Sequence, residues 1–150
     1  MVESRGSRVE SCFSVVLDLA HRHLTRRKGQ GMQKFTDLRV WRRSHALVVE
    51  VYRMSTSFPH EERFGLTAQL RRAVISVPAN IAEGSKRQGN ADYSRFLNIA
   101  QASLAETEYL LLLAGDLGYS QPRFTGPLLQ EIDKISRMLS ALRAKVGNDP

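Results

Sequence analysis

One segment, residues 69–84, constrains the fold of this 150-residue chain more than any other. Leu70 and Val77 lie two helical turns apart, so they share one face of a helix. Ile75 and Ala79 lie on roughly the opposite face of the same helix. A helix with apolar residues on two faces is buried in a large core or at an interface. Because a chain of this length has no large core, the segment predicts self-association.

A polar stripe runs between these two apolar faces. Arg72, Ser76, Asn80 and Glu83 form the stripe, which fits either a network that fixes helix register or an active-site row. The residues expected at an interface between copies are Ala68, Arg72, Ile75, Ser76, Ala79, Asn80, Ala82 and Glu83. Since no nucleophile and base accompany the stripe, the pattern favours the structural interpretation.

Apolar residues at helical spacing predict four helices in all. The first is capped by Asp37 and runs to about Ser57, the second runs from near Leu66 to about Lys86, the third is capped by Asn90 and ends near Leu117, and the fourth starts at Thr125-Gly126-Pro127 and ends near Val146. Phe58-Pro59 ends the first helix, because proline disfavours helical geometry in the residue before it. Short links between the helices predict an all-α, antiparallel up-and-down four-helix bundle.

The second helix contains Pro78, which the pattern places with Ile75 and Ala79 on the outer face. An interior proline removes one hydrogen-bond donor, at about 3 kcal/mol in an isolated helix. Since the apolar pattern continues in phase, we expect a bend rather than a break. Gly84 falls on the inner face, where the absence of a side chain permits close helix approach. The alternative is that Gly84 begins the C-terminal unwinding of the helix, since Gly89-Asn90 follows soon.

The formal net charge of the chain is +7, which favours a polyanionic partner. Residues 1–31 carry six basic and three acidic groups and have no clean periodicity. We expect them to be a disordered extension to a bundle domain of residues 32–150. Lys28-Gly29-Gln30-Gly31 suggests purine-rich codons, so Met32 is expected to be the native start; a genuine basic arm is the alternative.

Several classes of protein are disfavoured by what the sequence lacks. Cys12 is the one cysteine, which excludes a disulfide framework. The apolar run around it is broken by Asp18, and no run approaches the ~18 apolar residues that span a bilayer. No Glu-x-x-His pair or nucleotide-binding glycine motif occurs. We therefore expect a cytoplasmic protein with no metal, no cofactor and no enzymatic activity.

Two groups of basic residues are candidate nucleic-acid contacts. Arginines bind phosphate oxygens bidentately, and a glycine-rich basic turn can offer backbone amides as well as cations. The first group lies on the outer face of the first helix and the second follows the second helix: Lys34, Arg39, Arg42, Arg43 and Arg53, then Lys86 and Arg87. Solvated helix faces and an exposed turn remain the alternative interpretation.

The strongest resemblance lies in Gln69-Leu-Arg-Arg-Ala and Ser76-x-Pro-Ala-Asn-Ile-Ala-Glu-Gly84. Other matching pieces follow the same order: Phe35-x-Asp37-Leu38-x-Val40-Trp41, Val51-Tyr52, Phe58-Pro59-x-Glu61, Gly65-Leu66-Thr67 and Ser103-Leu104-Ala105-Glu106. Over about residues 34–146 the chain resembles the four-helix-bundle proteins encoded in intervening sequences of bacterial large-subunit ribosomal RNA.

This resemblance implies a bundle, a homopentameric ring and a basic surface, with no established reaction and no catalytic residues. The accessory variability determinant of diversity-generating retroelements is similar at a greater distance, and is thought to bind nucleic acid and a reverse transcriptase. We therefore expect a non-enzymatic homo-oligomer that binds structured RNA or DNA. The alternative is a protein-interaction scaffold that docks a reverse transcriptase or a ribosome-associated partner.

Overall fold

A computed structural model describes residues 34–148 of the chain, and this part is entirely helical, without a strand. Its four long helices are α1 (Arg39–Met54), α2 (Leu66–Gly84), α3 (Asn90–Asp116) and α4 (Pro122–Asn148), and short 3-10 helices cover Phe35–Asp37, Ser55–Ser57 and His60–Arg63. The all-α prediction is confirmed. The predictions for residues 1–31 and for Met32 lie outside the described residues.

The four helices form a closed bundle, in which each helix packs against the next and α4 packs back against α1. Ser76 of α2 meets Ser103 of α3, and Gln101 of α3 meets Ser140 of α4. These contacts and the short links between the helices show that successive helices are antiparallel. The start of α1, the turn 85–89 and the end of α4 therefore share one end of the bundle, the proximal end. The links 55–65 and 117–121 form the distal end.

The core consists of the inner stripes that the sequence predicts. Every helix contributes residues that are almost fully buried: Val40, Leu47 and Val51 from α1, Leu70, Val77 and Ile81 from α2, Leu97, Leu104 and Leu111 from α3, and Leu128, Ile132, Ile135 and Leu139 from α4. These positions recur every three or four residues, so each helix presents one continuous apolar stripe to the bundle axis.

Three predicted helix starts are wrong, and the smallest error is at α3, which begins at Asn90 after Gly89 instead of being capped by Asn90. The helix α1 begins after Leu38, and Asp37 belongs to the preceding 3-10 turn instead of capping the helix. The edge of Phe35 packs against Trp41 with 5.1 Å between the ring centroids, which fixes this turn against α1. The helix α4 begins at Pro122, before the predicted start signal. A proline at the first helical position costs little, because its missing N–H would have no helical partner.

The helix α2 is continuous through Pro78, as predicted, but Pro78 is buried instead of lying on the outer face. It follows Val74 by four residues and precedes Ile81 by three, and both of these side chains are fully buried. The helical spacing thus assigns Pro78 to the inner side, and the outer apolar face is narrower than predicted.

Gly84 lies at a close approach between α2 and α3. A Cβ atom at this position would lie 2.8 Å from the Cβ atom of Phe96 and 2.8 Å from a ring carbon of Tyr93. The predicted role of Gly84 in close helix approach is therefore confirmed. Gly118 serves differently: its φ of 73° is the left-handed conformation that ends α3.

An ion pair crosses from α1 to α4 at Arg43 and Glu131. Nε of Arg43 donates to Oε1 of Glu131 at 2.7 Å, and Nη2 donates to Oε2 at 2.6 Å. The Glu131 side chain is 5% exposed and that of Arg43 is 18% exposed. The pairing with Arg43 compensates the Glu131 carboxylate, which allows this charged side chain to be buried.

We predict that Gly84→Ala destabilises the protein by about 1–3 kcal/mol, because the new methyl group overpacks the α2–α3 contact. Gly115→Ala is the matched control, since its Cβ would meet open space. This control should be neutral or stabilise the chain by up to about 1 kcal/mol through helix propensity. Thermal unfolding followed by circular dichroism measures both. Equal shifts in the two variants would contradict the close-approach argument.

We predict that Arg43→Ala destabilises the protein by about 3–5 kcal/mol, because Glu131 stays buried without a partner. The control is Arg137→Ala, which breaks an exposed pair with Asp133 and should cost less than about 1 kcal/mol. Combining Arg43→Met with Glu131→Leu should recover much of the loss. Urea denaturation gives the three free energies of unfolding, and similar values for the two single variants would refute the prediction.

Candidate functional site

The fold brings six of the seven predicted nucleic-acid contacts to the proximal end of the bundle. Because successive helices are antiparallel, the cations at the start of α1 share this end with the turn that follows α2: Lys34, Arg39, Arg42 and Arg43, then Lys86 and Arg87. Arg53 lies at the other end of α1, towards the distal links, where it forms an ion pair with Glu50 at 2.7 Å.

The cations at the start of α1 differ in how firmly they are held. Arg42 donates from Nε to the carbonyl oxygen of Thr36 at 2.8 Å, and it lies 3.8 Å from the Asp37 carboxylate. Arg39 and Lys34 are exposed, and neither forms an ion pair among residues 34–148. Arg43 is committed to Glu131. The freest positive charges of this group are therefore Arg39 and Lys34.

The turn after α2 offers side chains instead of backbone amides. The N–H groups of Ser85, Lys86 and Arg87 all donate to carbonyl oxygens of the preceding helical turn. The amides of these three residues therefore close the end of α2 and are not available to a phosphate. The side chain of Lys86 is exposed and available.

Arg87, in the same turn, is held by three neighbours. It pairs with Glu83 at 2.5 Å and with Asp92 at 3.7 Å, and its guanidinium lies 4.6 Å from the centroid of the Phe96 ring. These contacts fix the side chain across the α2–α3 turn. Its charge is thus partly compensated, whereas Lys86 has no ion-pair partner among residues 34–148.

A basic groove lies between α1 and α4, and we call it the α1–α4 groove. Its volume is about 360 Å³, and it is lined by Arg39, Arg43, Lys134, Arg137, Met138 and Ala141. The sequence analysis missed the contribution of α4. No local sequence signal places Lys134 near α1, because its position follows from the pairing of Glu131, three residues earlier, with Arg43.

The predicted polar stripe of α2 divides into two parts. Nδ2 of Asn80 donates to the backbone carbonyl and to Oγ of Ser76, at 2.8 and 2.9 Å, and the hydroxyl of Ser103 donates to Oγ of Ser76 at 2.9 Å. This chain of hydrogen bonds joins α2 to α3 and fixes their register. Arg72 and Glu83 do not belong to it, since Glu83 pairs with Arg87.

The outer side of the α2–α3 contact forms a second groove, the α2–α3 groove. It has a volume of about 420 Å³ and is lined by Gln69, Arg72, Ala73, Ser76, Ser103 and Glu106. Arg72 and Glu106 carry opposite charges and are both exposed, and neither forms an ion pair within the described part of the chain. The groove thus combines unpaired charges with hydroxyl groups.

Exposed apolar side chains flank the α2–α3 groove. Ile75 of α2 is 43% exposed, and Ala79 lies one turn further along the same face. On α3, Ile99 is 37% exposed and Tyr109 is 61% exposed. The helix α3 thus extends the predicted outer face of α2, a contribution that the sequence analysis did not assign.

Two tyrosines have altered acidity. Desolvation by burial raises the pKa of Tyr93, which packs against Gly84. Desolvation also raises the pKa of Tyr119, and the Glu62 carboxylate, 3.3 Å from its hydroxyl group, raises it further. Glu62 in turn accepts a hydrogen bond from the N–H of Leu66 at 2.9 Å. Tyr119 and Glu62 therefore tie the distal links to the start of α2.

Two further properties concern residues 34–148 alone. This range contains no group of three or more histidine, cysteine, aspartate or glutamate side chains that could hold a metal ion. None of its helices combines the length and the apolar character that crossing a membrane requires.

A solved structure and a family of protein sequences are similar to this chain. A crystal structure from Bacteroides thetaiotaomicron, described as a protein with unknown function from the S23 ribosomal protein family, matches with a TM-score of 0.64 and 26% identity. The match covers 69% of this chain and 96% of that chain. Comparison with curated proteins gave no match. The sequence profile described as 23S rRNA-intervening sequence protein matches residues 36–141, so the chain belongs to this family.

Proposed function

We propose that this protein is a non-enzymatic, homo-oligomeric bundle that binds structured RNA or DNA through its basic surface in the cytoplasm. The observation that carries the proposal is that the cations of α1 and those of the α2–α3 turn belong to the same, proximal end of the bundle. Several cations on one face form a sequence-independent anchor for phosphates. The family description, which links these proteins to an intervening sequence of 23S ribosomal RNA, supports an RNA-related role.

The proposed oligomer is a homopentameric ring whose contacts involve the predicted interface residues on α2. Ile75, Ala79 and Tyr109 would be covered by a neighbouring copy, which would remove exposed apolar surface from water. Arg72 and Glu106, which lack ion-pair partners within the described residues, would gain partners across the interface. A ring closed by rotation repeats one contact without leaving an open end.

A second candidate function is a scaffold for a protein partner, such as a reverse transcriptase or a ribosome-associated protein. The distal end favours it, because Phe64 is 85% exposed and Leu117 and Phe124 are each close to half exposed. Exposed apolar residues of this size that lie near one another are typical of protein-interaction surfaces.

We predict that the protein binds a labelled RNA hairpin and an unrelated DNA duplex with comparable affinity at low salt. With six phosphate contacts, binding should weaken roughly a thousandfold between about 50 and 200 mM salt. Fluorescence anisotropy measures this directly. No binding of either probe at low salt would refute the proposed function and favour the scaffold.

The variants for this experiment are Arg39→Ala and Lys86→Ala, which remove exposed cations at the proximal end. Each substitution should lower the affinity for the two probes to a similar degree, since phosphate contacts carry no sequence information. Arg123→Ala is the matched control, because it removes an exposed arginine at the distal end. Arg43→Ala is unsuitable, since losing the ion pair with Glu131 would destabilise the fold. A loss of affinity could then not be separated from a loss of folded protein.

We predict that the wild-type chain has the mass of a pentamer in light scattering. Replacing both Ile75 and Ala79 by glutamate should produce monomers, because the carboxylates would be desolvated at the interface. Ala144→Glu, at an exposed position of α4, should leave the mass unchanged. A monomeric wild-type protein, or an unaltered mass in the double variant, would contradict the proposed interface.

A further inference from the structure

The α1–α4 groove gathers four cations from two helices that are far apart in sequence. Arg39 and Arg43 come from α1, and Lys134 and Arg137 come from α4. We infer that this groove is a binding site for the phosphate backbone of nucleic acid, with Lys134 and Arg137 as contacts. The inference rests on the proposed function and deepens it by assigning a specific site on α4.

The charge balance of the groove favours an anion. Arg43 is compensated by Glu131, and Arg137 pairs with Asp133 at 2.8 Å. Arg39 and Lys134 have no ion-pair partner within residues 34–148, so two positive charges of the groove are uncompensated. A cleft lined by one sign of charge focuses the electric field and attracts an oppositely charged ligand.

Arg43 is arranged to act as a fixed donor at the base of the groove. A guanidinium group has five N–H donors, and Glu131 accepts one from Nε and one from Nη2. The Nη1 group has no hydrogen-bond partner among the described residues, although the side chain lines the groove. The buried carboxylate thus holds the guanidinium in place, and a phosphate oxygen can accept from the remaining donors without reordering the side chain.

Arg137 can exchange its present partner for a phosphate. The side chains of Arg137 and Asp133 are 69% and 64% exposed, and an ion pair with this much exposure is weak. A phosphate group bound between Arg137 and Lys134 would replace the pair with charge-assisted hydrogen bonds. Lys134 and Arg137 are three residues apart, so both project from neighbouring turns of the same face of α4.

The residues that line the groove indicate which part of a nucleic acid it binds. Its remaining residues, Met138 and Ala141, are apolar, and the lining includes no aromatic ring, asparagine or glutamine. The lining therefore lacks the aromatic rings on which bases stack and the amide side chains that read adenine, whereas its arginines and lysine are residues that bind phosphates. The groove is therefore suited to the backbone and should not distinguish between nucleotide sequences.

The test compares the double variant Lys134→Ala/Arg137→Ala with the wild-type chain. Salt-titrated anisotropy with a labelled DNA duplex should give a log–log salt slope smaller by about two, because two phosphate contacts are lost. At about 0.1 M salt the affinity should fall at least tenfold. An unrelated duplex of equal length should lose affinity to the same extent.

The matched control is Arg63→Ala/Arg123→Ala, which removes two exposed arginines at the distal end and thus changes the net charge equally. It should keep the wild-type salt slope. The exchange Lys134→Arg/Arg137→Lys should also keep most of the affinity. Thermal unfolding of all variants should be close to that of the wild type, since the substituted side chains are exposed.

The outcomes separate this inference from the function on which it rests. If the wild-type chain binds the duplex and the Lys134→Ala/Arg137→Ala variant binds equally well, the groove is not the site and the proposed function stands. If both double alanine variants weaken binding equally, only net charge matters, and the inference is overturned. If the wild-type chain binds polyglutamate in preference to the duplex, or binds no duplex, the proposed function fails together with the inference.

Discussion

The close contact between α2 and α3 is the constraint on which most of the architecture depends. At Gly84 the two helices approach so closely that even a methyl group would overlap the side chains of Tyr93 and Phe96. The short turn that follows brings Lys86 to the proximal end, and two turns before Gly84 the Ser76–Ser103 hydrogen bond fixes the register. Because of this approach, the outer sides of α2 and α3 form one continuous surface with a shared groove.

The Arg43–Glu131 pair controls the other side of the bundle in a different way. Burying a charge pair contributes little net stability compared with apolar residues of the same size, but leaving one partner alone is costly. The pair therefore specifies how α1 and α4 align more than it strengthens their contact. That alignment places Arg39 opposite Lys134 and Arg137, so the charge distribution of the α1–α4 groove follows from one buried carboxylate.

Features that depend on local sequence could be predicted, whereas features that depend on contacts between distant residues could not. The inner stripes, the four helices and the role of Gly84 follow from local periodicity and from the size of a missing side chain, and these predictions are confirmed. The burial of Glu131 depends on an arginine 88 positions away, which no local pattern reveals. Pro78 was placed on the wrong face because the apolar residues of α2 cover both sides, and composition alone cannot decide which side meets α1. Lys134 and Arg137 are exposed, and their position beside α1 depends on the same distant pairing of Arg43 with Glu131.

In the proposed function, assembly and nucleic-acid binding would reinforce each other. A single bundle offers only a few uncompensated cations, and each phosphate contact in water contributes little by itself. A closed ring would repeat the proximal end and the α1–α4 groove once per copy, so the second and later contacts on one nucleic acid would form at high effective concentration. The counterions released would add across the copies, which makes binding steeply dependent on salt even when each site is weak. The apolar surface beside the α2–α3 groove and the basic α1–α4 groove lie on different helix pairs, so the predicted interface residues of α2 do not line the basic groove.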